Sequence, residues 1–262
     1  PNLIQVMYGY LSELHQKLVF TKDDLVATTG SKDRAAALLL NYQRKNLITK
    51  IRRNLYCVTN LATGAPEASK MQIASAVSPT AAVAYHAAME YHGVAHQVFY
   101  ELCVVSATRF TPFEFDGTRF VYVRNPLEEG VMQPEFGGGV RVTDLERTVL
   151  DCIDRIDLCG GVEELLHCLE AVAYVDETKL IRYLRLYGKA SLFKKAGYVL
   201  ALTAVGRSLT SDFYALCHKA SERSTGVLTT LEPCERFVGE WRLYVPEWIN
   251  SEIQPSGHDT LR

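Results

Sequence analysis

Between Phe20 and Lys45 the chain carries two helix starts and one helix stop in close succession. Thr21 precedes Lys22-Asp23-Asp24-Leu25, Thr28-Thr29-Gly30 breaks the run, and Ser31 follows at once. Thr and Ser are favoured N-caps because their side-chain oxygens accept from an unpaired backbone N–H of the first turn. The two aspartates fall where a helix dipole favours negative charge. Gly30 suits the left-handed backbone that commonly follows a helix end. The spacing predicts a short helix, a tight turn, and a longer helix from Ser31 to about Lys45, with Ala35, Leu38, Leu39 and Tyr42 on its inner face.

The flanks complete a recognisable unit. Leu3, Val6, Met7, Tyr10, Leu11, Leu14 and Leu18 recur at helical steps of three and four. Leu47-Ile48-Thr49-Lys50-Ile51 and Leu55-Tyr56-Cys57-Val58 read as two strands joined at Arg52-Arg53-Asn54. Three helices followed by a β-hairpin predict a winged helix-turn-helix over residues 1–65.

Charge directs that head towards something anionic. Residues 1–60 carry nine basic and four acidic side chains, a net +5, while the remainder is net −7. Lys32 and Arg34 fall in the first turn of the third helix, the end that enters the major groove in helix-turn-helix proteins. Arg52 and Arg53 fall at the hairpin tip, beside a duplex backbone. Arg44 and Lys45 either reach phosphate or simply offset the dipole at their helix's C-terminus. These six are the candidate DNA-binding residues. The competing reading is a winged helix that binds only protein.

Residues 61–77, with Gly64 and Pro66, read as a connection that includes a turn or two of helix over Ser69–Ala76. A mixed α/β domain is expected over 75–262, making the chain α+β overall. Ser78, Pro79 and Gly93 predict a cap, a first helical position and a stop. His86, His92 and His96, on or near that helix, are spaced by six and four, unlike His-Glu-x-x-His. Glu90 is a possible further ligand, but structural histidines are the expectation, and no metal or cofactor is predicted.

Strands are expected at Val98–Val105, at Phe113–Phe115 and Arg119–Val123 across Asp116-Gly117, and at Val140–Val142. Gly137-Gly138-Gly139 lacks a following Gly-Lys-[Ser/Thr], so a turn is expected rather than a phosphate cradle. Thr143 and Glu146 match a capping box, with Leu145, Val149, Cys152 and Ile153 as the apolar stripe of the helix it opens. Asp144, Glu146, Asp151 and Asp154 form an acidic group of the kind a metal-dependent enzyme uses; the helix start already accounts for part of it. Helices are expected over 162–173, 177–187 and 192–205, the last two capped by Asp176 and Ser191. Strands then follow at 226–231 and 241–245.

The seven cysteines are odd in number, scattered, and form no Cys-x-x-Cys. A disulfide framework is disfavoured and a cytoplasmic location is expected. No stretch approaches eighteen apolar residues, so no membrane helix is expected. Pro1-Asn2-Leu3-Ile4-Gln5 lacks the basic and apolar regions of a secretory signal.

The segment Val142-Thr143-Asp144-Leu145-Glu146-Arg147-Thr148-Val149-Leu150-Asp151-Cys152 resembles the Val-Thr-Asp-x-Glu-Arg-Thr-Leu-x-Asp stretch of the AbiEi family of bacterial antitoxins and transcriptional regulators. Ser78 to His92-Gly93, Lys195-Ala196-Gly197-Tyr198-Val199-Leu200 and Trp241-Arg242-Leu243-Tyr244-Val245 are similar to further segments of that family. The resemblance implies a non-enzymatic antitoxin that represses its own operon through the winged helix. Its body would counter a nucleotidyltransferase-class toxin, with direct contact left open. The chain itself lacks the paired strand carboxylates of that enzyme class, since Gly160-Gly161 leads into Val162-Glu163-Glu164. Two alternatives stand beside this reading. One is a winged-helix regulator with a small-molecule-sensing domain and no toxin partner. The other is a nuclease with a DNA-binding head.

Overall fold

Thr21 does what its position demands. In the computed structural model, which describes residues 3–125, 127–221 and 225–249 and side chains from Gly9 onward, Thr21 Oγ1 accepts from Asp24 N–H at 3.1 Å. The Asp24 carboxylate accepts from Thr21 N–H at 2.8 Å, closing a capping box. Helix α1 (Leu3–Lys17) and strand β1 (Val19–Phe20) precede that cap; α2 (Lys22–Thr29) and α3 (Lys32–Arg44) follow it. Gly30, at φ 68°, returns its N–H to Val26 and ends α2. Ser31 then caps α3. Strands β2 (Ile48–Arg52) and β3 (Leu55–Val58) form the hairpin. Leu11, Leu14, Phe20, Leu25, Ala35, Leu39, Tyr42, Ile48 and Val58 make one buried core, with Leu38 packed against it. The side chains of Leu3, Val6 and Met7 lie outside those described.

β1 has only two residues and no periodic signal, so it was not anticipated. It pairs antiparallel with β3, Val19 opposite Cys57, to give a three-stranded sheet of order β1-β3-β2. The following α4 (Lys70–Ala76) is capped by Ser69 with Gln72 in a second capping box.

The expected helix over 78–93 does not form as one element. Ser78 bonds the Ser106 hydroxyl at 2.7 Å, and the chain then enters strand β4 (Ala82–Val83). Helix α5 (His86–Tyr91) is only the second half of the expected span. Ala81, Ala82, Val83 and Ala84 are fully buried. Helix and buried strand are equally consistent with such a short apolar run, and the sheet decides between them. β4 lies in the interior of a six-stranded sheet of order β6-β7-β5-β4-β9-β8. Its other members are β5 (Glu101–Val105), β6 (Phe113–Phe115), β7 (Thr118–Val123), β8 (Val131–Met132) and β9 (Val142–Thr143). β5 and β7 are parallel, as are β4 and β9, while β4 and β5 are antiparallel.

Helix α6 (Leu145–Asp154) begins one residue later than the expected capping box. Thr143 is spent on β9, and Asp144 is the N-cap, accepting from Arg147 N–H at 3.0 Å. Helices α7 (Val162–Glu170), α8 (Glu177–Tyr187) and α9 (Ala190–Ala201) follow. Asp176 caps α8 as expected, whereas Ser191 lies inside α9 and caps nothing. Helix α10 (Ser211–Ser221) was not anticipated; its apolar residues Phe213 and Cys217 are too sparse to announce a stripe. The last strands are β10 (Gly226–Val227), β11 (Arg236–Val238) and β12 (Leu243–Val245), ordered β10-β12-β11, so β11 is also an addition.

The architecture is mixed α+β. The chain forms two units: residues up to 84 together with 99–143, and 85–98 together with 144 onward. The first holds the basic head, the 61–77 connection and the six-stranded sheet. The second is mainly helical. Among the described residues no helix is long and apolar enough to cross a membrane.

Candidate nucleic-acid interface

The first turn of α3 exposes Lys32 and Arg34 on either side of Asp33, while Ala35 behind them is fully buried in the head core. Arg44 and Lys45, at the other end of α3, are also exposed, as is Arg53. None of these five cations forms a salt bridge with a described residue. Lys17, by contrast, pairs with Asp24 at 2.6 Å.

Arg52 differs from its neighbour. Its guanidinium carbon lies 4.9 Å from the ring centre of Phe113 and 5.6 Å from that of Phe110. Its Nη1 is buried without a hydrogen-bond partner. Phe110 and Phe113 meet edge to face, and Phe113 stacks on Phe120 at 4.7 Å. The side chain therefore anchors the hairpin to an aromatic group of the six-stranded sheet. Sequence reasoning placed both arginines at one tip; it had no signal for aromatic residues sixty positions away.

The tip is also positioned. A β-bulge interrupts the β2–β3 register between Lys50 and Arg52. Asn54, at φ 61°, accepts from Lys22 N–H at 3.0 Å and donates to the Asp23 carboxylate at 3.2 Å. Arg53 therefore sits beside the start of α2. The Gly30-Ser31 turn that presents Lys32 and Arg34 lies one length of α2 away, about 12 Å for eight residues. Two groups of exposed cations thus stand at opposite ends of one short helix. The Asp24 box that sets this frame is electrostatically tuned. Burial alone would raise its carboxyl pKa, but hydrogen bonds from Lys17 and Thr21 and the Lys17 charge hold it below the usual range.

The acidic residues of α6 are all engaged in the second unit. Asp144 accepts from Tyr183 Oη at 2.7 Å and from Lys179 Nζ at 3.4 Å, besides capping α6. Glu146 accepts from Asp176 N–H at 2.9 Å and pairs with Lys179 at 3.2 Å. Asp151 accepts from Arg147 Nε at 3.3 Å and from the Tyr187 hydroxyl. Asp154 pairs with Lys189 at 2.5 Å. These contacts clamp α6 to α8 and its flanks, and the four acids do not assemble as a metal-ligand group among the described residues. A catalytic use of Asp151 has no geometric support here, because its carboxylate serves a fully buried arginine.

A second cluster surrounds Glu164 in the same unit. Glu164, His86 and Cys168 are all buried, and Glu164 Oε1 is 2.9 Å from His86 Nε2. Burial opposes the charged forms of both, yet hydrogen bonding lowers the Glu164 pKa and raises that of His86. The sequence offered His86 and His96, but nothing linked them to residues seventy positions further on.

No family model matches the sequence, and comparison with curated proteins finds no match. Among solved structures, the chain is similar to the Rv2827c protein from Mycobacterium tuberculosis, with a TM-score of 0.63 at 16% identity. The match covers 91% of this chain and 89% of that one, so the likeness is one of fold across nearly the whole chain.

Proposed function

We propose that the N-terminal head is a winged helix that binds operator DNA, and that the protein is an antitoxin and transcriptional autorepressor of the AbiEi type. The observation that carries the DNA-binding reading is the placement of the exposed cations. Lys32 and Arg34 project from the capped start of α3, and Arg53 stands about one α2 length away at the hairpin tip. A recognition helix that presents its N-terminal residues to base edges, flanked by a basic hairpin on the backbone, uses this arrangement. Arg44 and Lys45 are exposed for phosphate contact at the far end of α3. Arg52 is assigned a supporting role, because its guanidinium is already stacked on aromatic rings.

The antitoxin part rests on the family resemblance of residues 142–152. The proposed partner is a nucleotidyltransferase-class toxin, encountered in the cytoplasm, and the chain is assigned no enzymatic activity. The extensive engagement of Asp144, Glu146 and Asp151 favours a structural purpose for that segment over a nuclease centre.

A second reading is favoured by one specific feature. A cavity of about 250 Å³ opens at the end of the six-stranded sheet, lined by Thr80, Ser106, Asn125, Glu128 and Arg141 among others. A regulator whose operator affinity responds to a small polar ligand would use such a cavity.

The test is binding of the full-length protein to its own promoter region across a salt series. Affinity is expected to fall steeply as salt rises, through counterion release. Arg34→Ala is expected to lower the operator-to-random ratio, a lost base contact being worth about 1–3 kcal/mol. Absence of salt-sensitive promoter binding would sink the regulator reading.

A further inference from the structure

The buried cluster around Glu164 has the chemistry of a metal site. Four donors converge on one oxygen, Glu164 Oε1. They are Gln97 N–H at 2.9 Å, His96 N–H at 3.1 Å, His86 Nε2 at 2.9 Å and Cys168 Sγ at 3.3 Å. A carboxylate oxygen offers about two lone-pair sites. Four donors exceed that number, so hydrogen bonding to this oxygen does not by itself account for the convergence of the imidazole and the thiol. Those two are also the groups with metal-ligand chemistry.

His86, Glu164 and Cys168 each place one ligand atom within 4.8 Å of the other two. Tetrahedral zinc, with bonds of about 2.0–2.3 Å to nitrogen, oxygen and sulfur, holds its ligand atoms about 3.3–3.7 Å apart. A modest expansion of the existing triangle admits the ion. Glu164 and Cys168 are one helical turn apart on α7 and share a face. Gly161 starts that helix, and α5 brings His86 from the other side.

A fourth ligand lies outside this triangle as it stands and reaches it by rotation of an exposed side chain. His96 Nδ1 is 3.3 Å from Glu164 Oε2, and its half-exposed ring stacks on His167 at 4.5 Å. His96 thus links the buried carboxylate to the exposed surface.

We infer that His86, His96, Glu164 and Cys168 form a zinc-binding site that ties residues 85–98 to α7. On binding, the S–H bond of Cys168 breaks, its proton leaves to solvent, and the sulfur electron pair forms the Zn–S bond. His86 binds as neutral imidazole, so a proton held between it and Glu164 also leaves. The ion has no redox role. The sequence spacing conceals the site because His86 and His96 lie between β4 and β5, whereas Glu164 and Cys168 lie beyond β9.

The experiment uses the full-length protein stripped of metal by a chelator and titrated with Co²⁺, then with Zn²⁺. Expected are one equivalent bound, the visible bands of tetrahedral Co²⁺, a thiolate-to-cobalt charge-transfer band in the near ultraviolet, and bleaching of both by Zn²⁺. Cys168→Ser should remove the charge-transfer band, whereas Cys217→Ser should retain it. His96→Ala, at a half-exposed position, should leave the circular dichroism unchanged and weaken cobalt affinity tenfold or more. Should Cys168→Ser fail to fold, His96→Ala decides the matter alone. A folded metal-free chain that develops no bands would overturn the site. So would a charge-transfer band that survives in folded Cys168→Ser, or cobalt affinity that is unchanged in His96→Ala.

Discussion

Arg52 and Arg53 are adjacent in sequence and opposite in surroundings. Arg52 lies over two phenylalanine rings, whereas Arg53 stands exposed. Arg52→Ala should therefore cost about 0.5–2 kcal/mol of stability, the range for cation–π contacts from exposed to desolvated. The slope of log affinity against log salt should hold in that variant. Arg53→Ala should do the reverse, leaving Tm unchanged and flattening the slope by about 0.9, one phosphate contact. Thermal melts and salt series on both variants check the contrast. At Asp24 the depressed carboxyl pKa sets a pH dependence. A group depressed on folding stabilises the native state above its unfolded pKa, about 3.9, and that contribution is lost as pH falls through the folded value. Asp24→Asn should consequently separate from the parent chain at neutral pH and converge with it in acid, followed by denaturant melts over a pH series.

At the scale of elements, local chemistry was legible wherever a cap and a stop stood close together. Thr21, Ser31 and Asp176 cap the helices they precede, because an N-cap needs only a side-chain oxygen within reach of its own helix's first-turn N–H groups, whereas Ser78, Thr143 and Ser191, read in the same way, do not cap. What escaped were elements defined by partners. β1 and β8 are two residues each and exist only because β3 and β9 pair with them. The Ala81–Ala84 run reads as helix until a sheet surrounds it. Gly197 is a similar case within α9. A Cβ there would approach the Trp241 ring to 2.2 Å and Cys217 Cβ to 3.1 Å. Gly197→Ala should gain up to about 1 kcal/mol of helix propensity and lose about 1–3 kcal/mol to overpacking. A net fall in Tm is expected, with the near-ultraviolet signal of Trp241 altered. A rise in Tm would mean that the α9–Trp241 contact is looser than the geometry indicates.

For the whole molecule, the proposed division of labour predicts separable defects. An Arg34→Ala/Arg53→Ala double variant should fold, lose promoter binding, and still protect cells in which the toxin is expressed from an unrelated promoter. Loss of protection in the folded variant would show that neutralisation runs through DNA. The sequence alone determined the helical head, its caps, its basic surface and most helices of the second unit, since each follows from spacings within about twenty residues. Only the tertiary structure decided which charges stand exposed and which are committed to a described partner. Arg52 is withdrawn by aromatic residues sixty positions on, and the α6 acids are occupied by Lys179, Tyr183 and Tyr187. His86 meets Glu164 across seventy-eight residues. The physical reason is range. Helix periodicity and capping are written in neighbouring residues, whereas the environment of a charge depends on whatever chain folding brings against it.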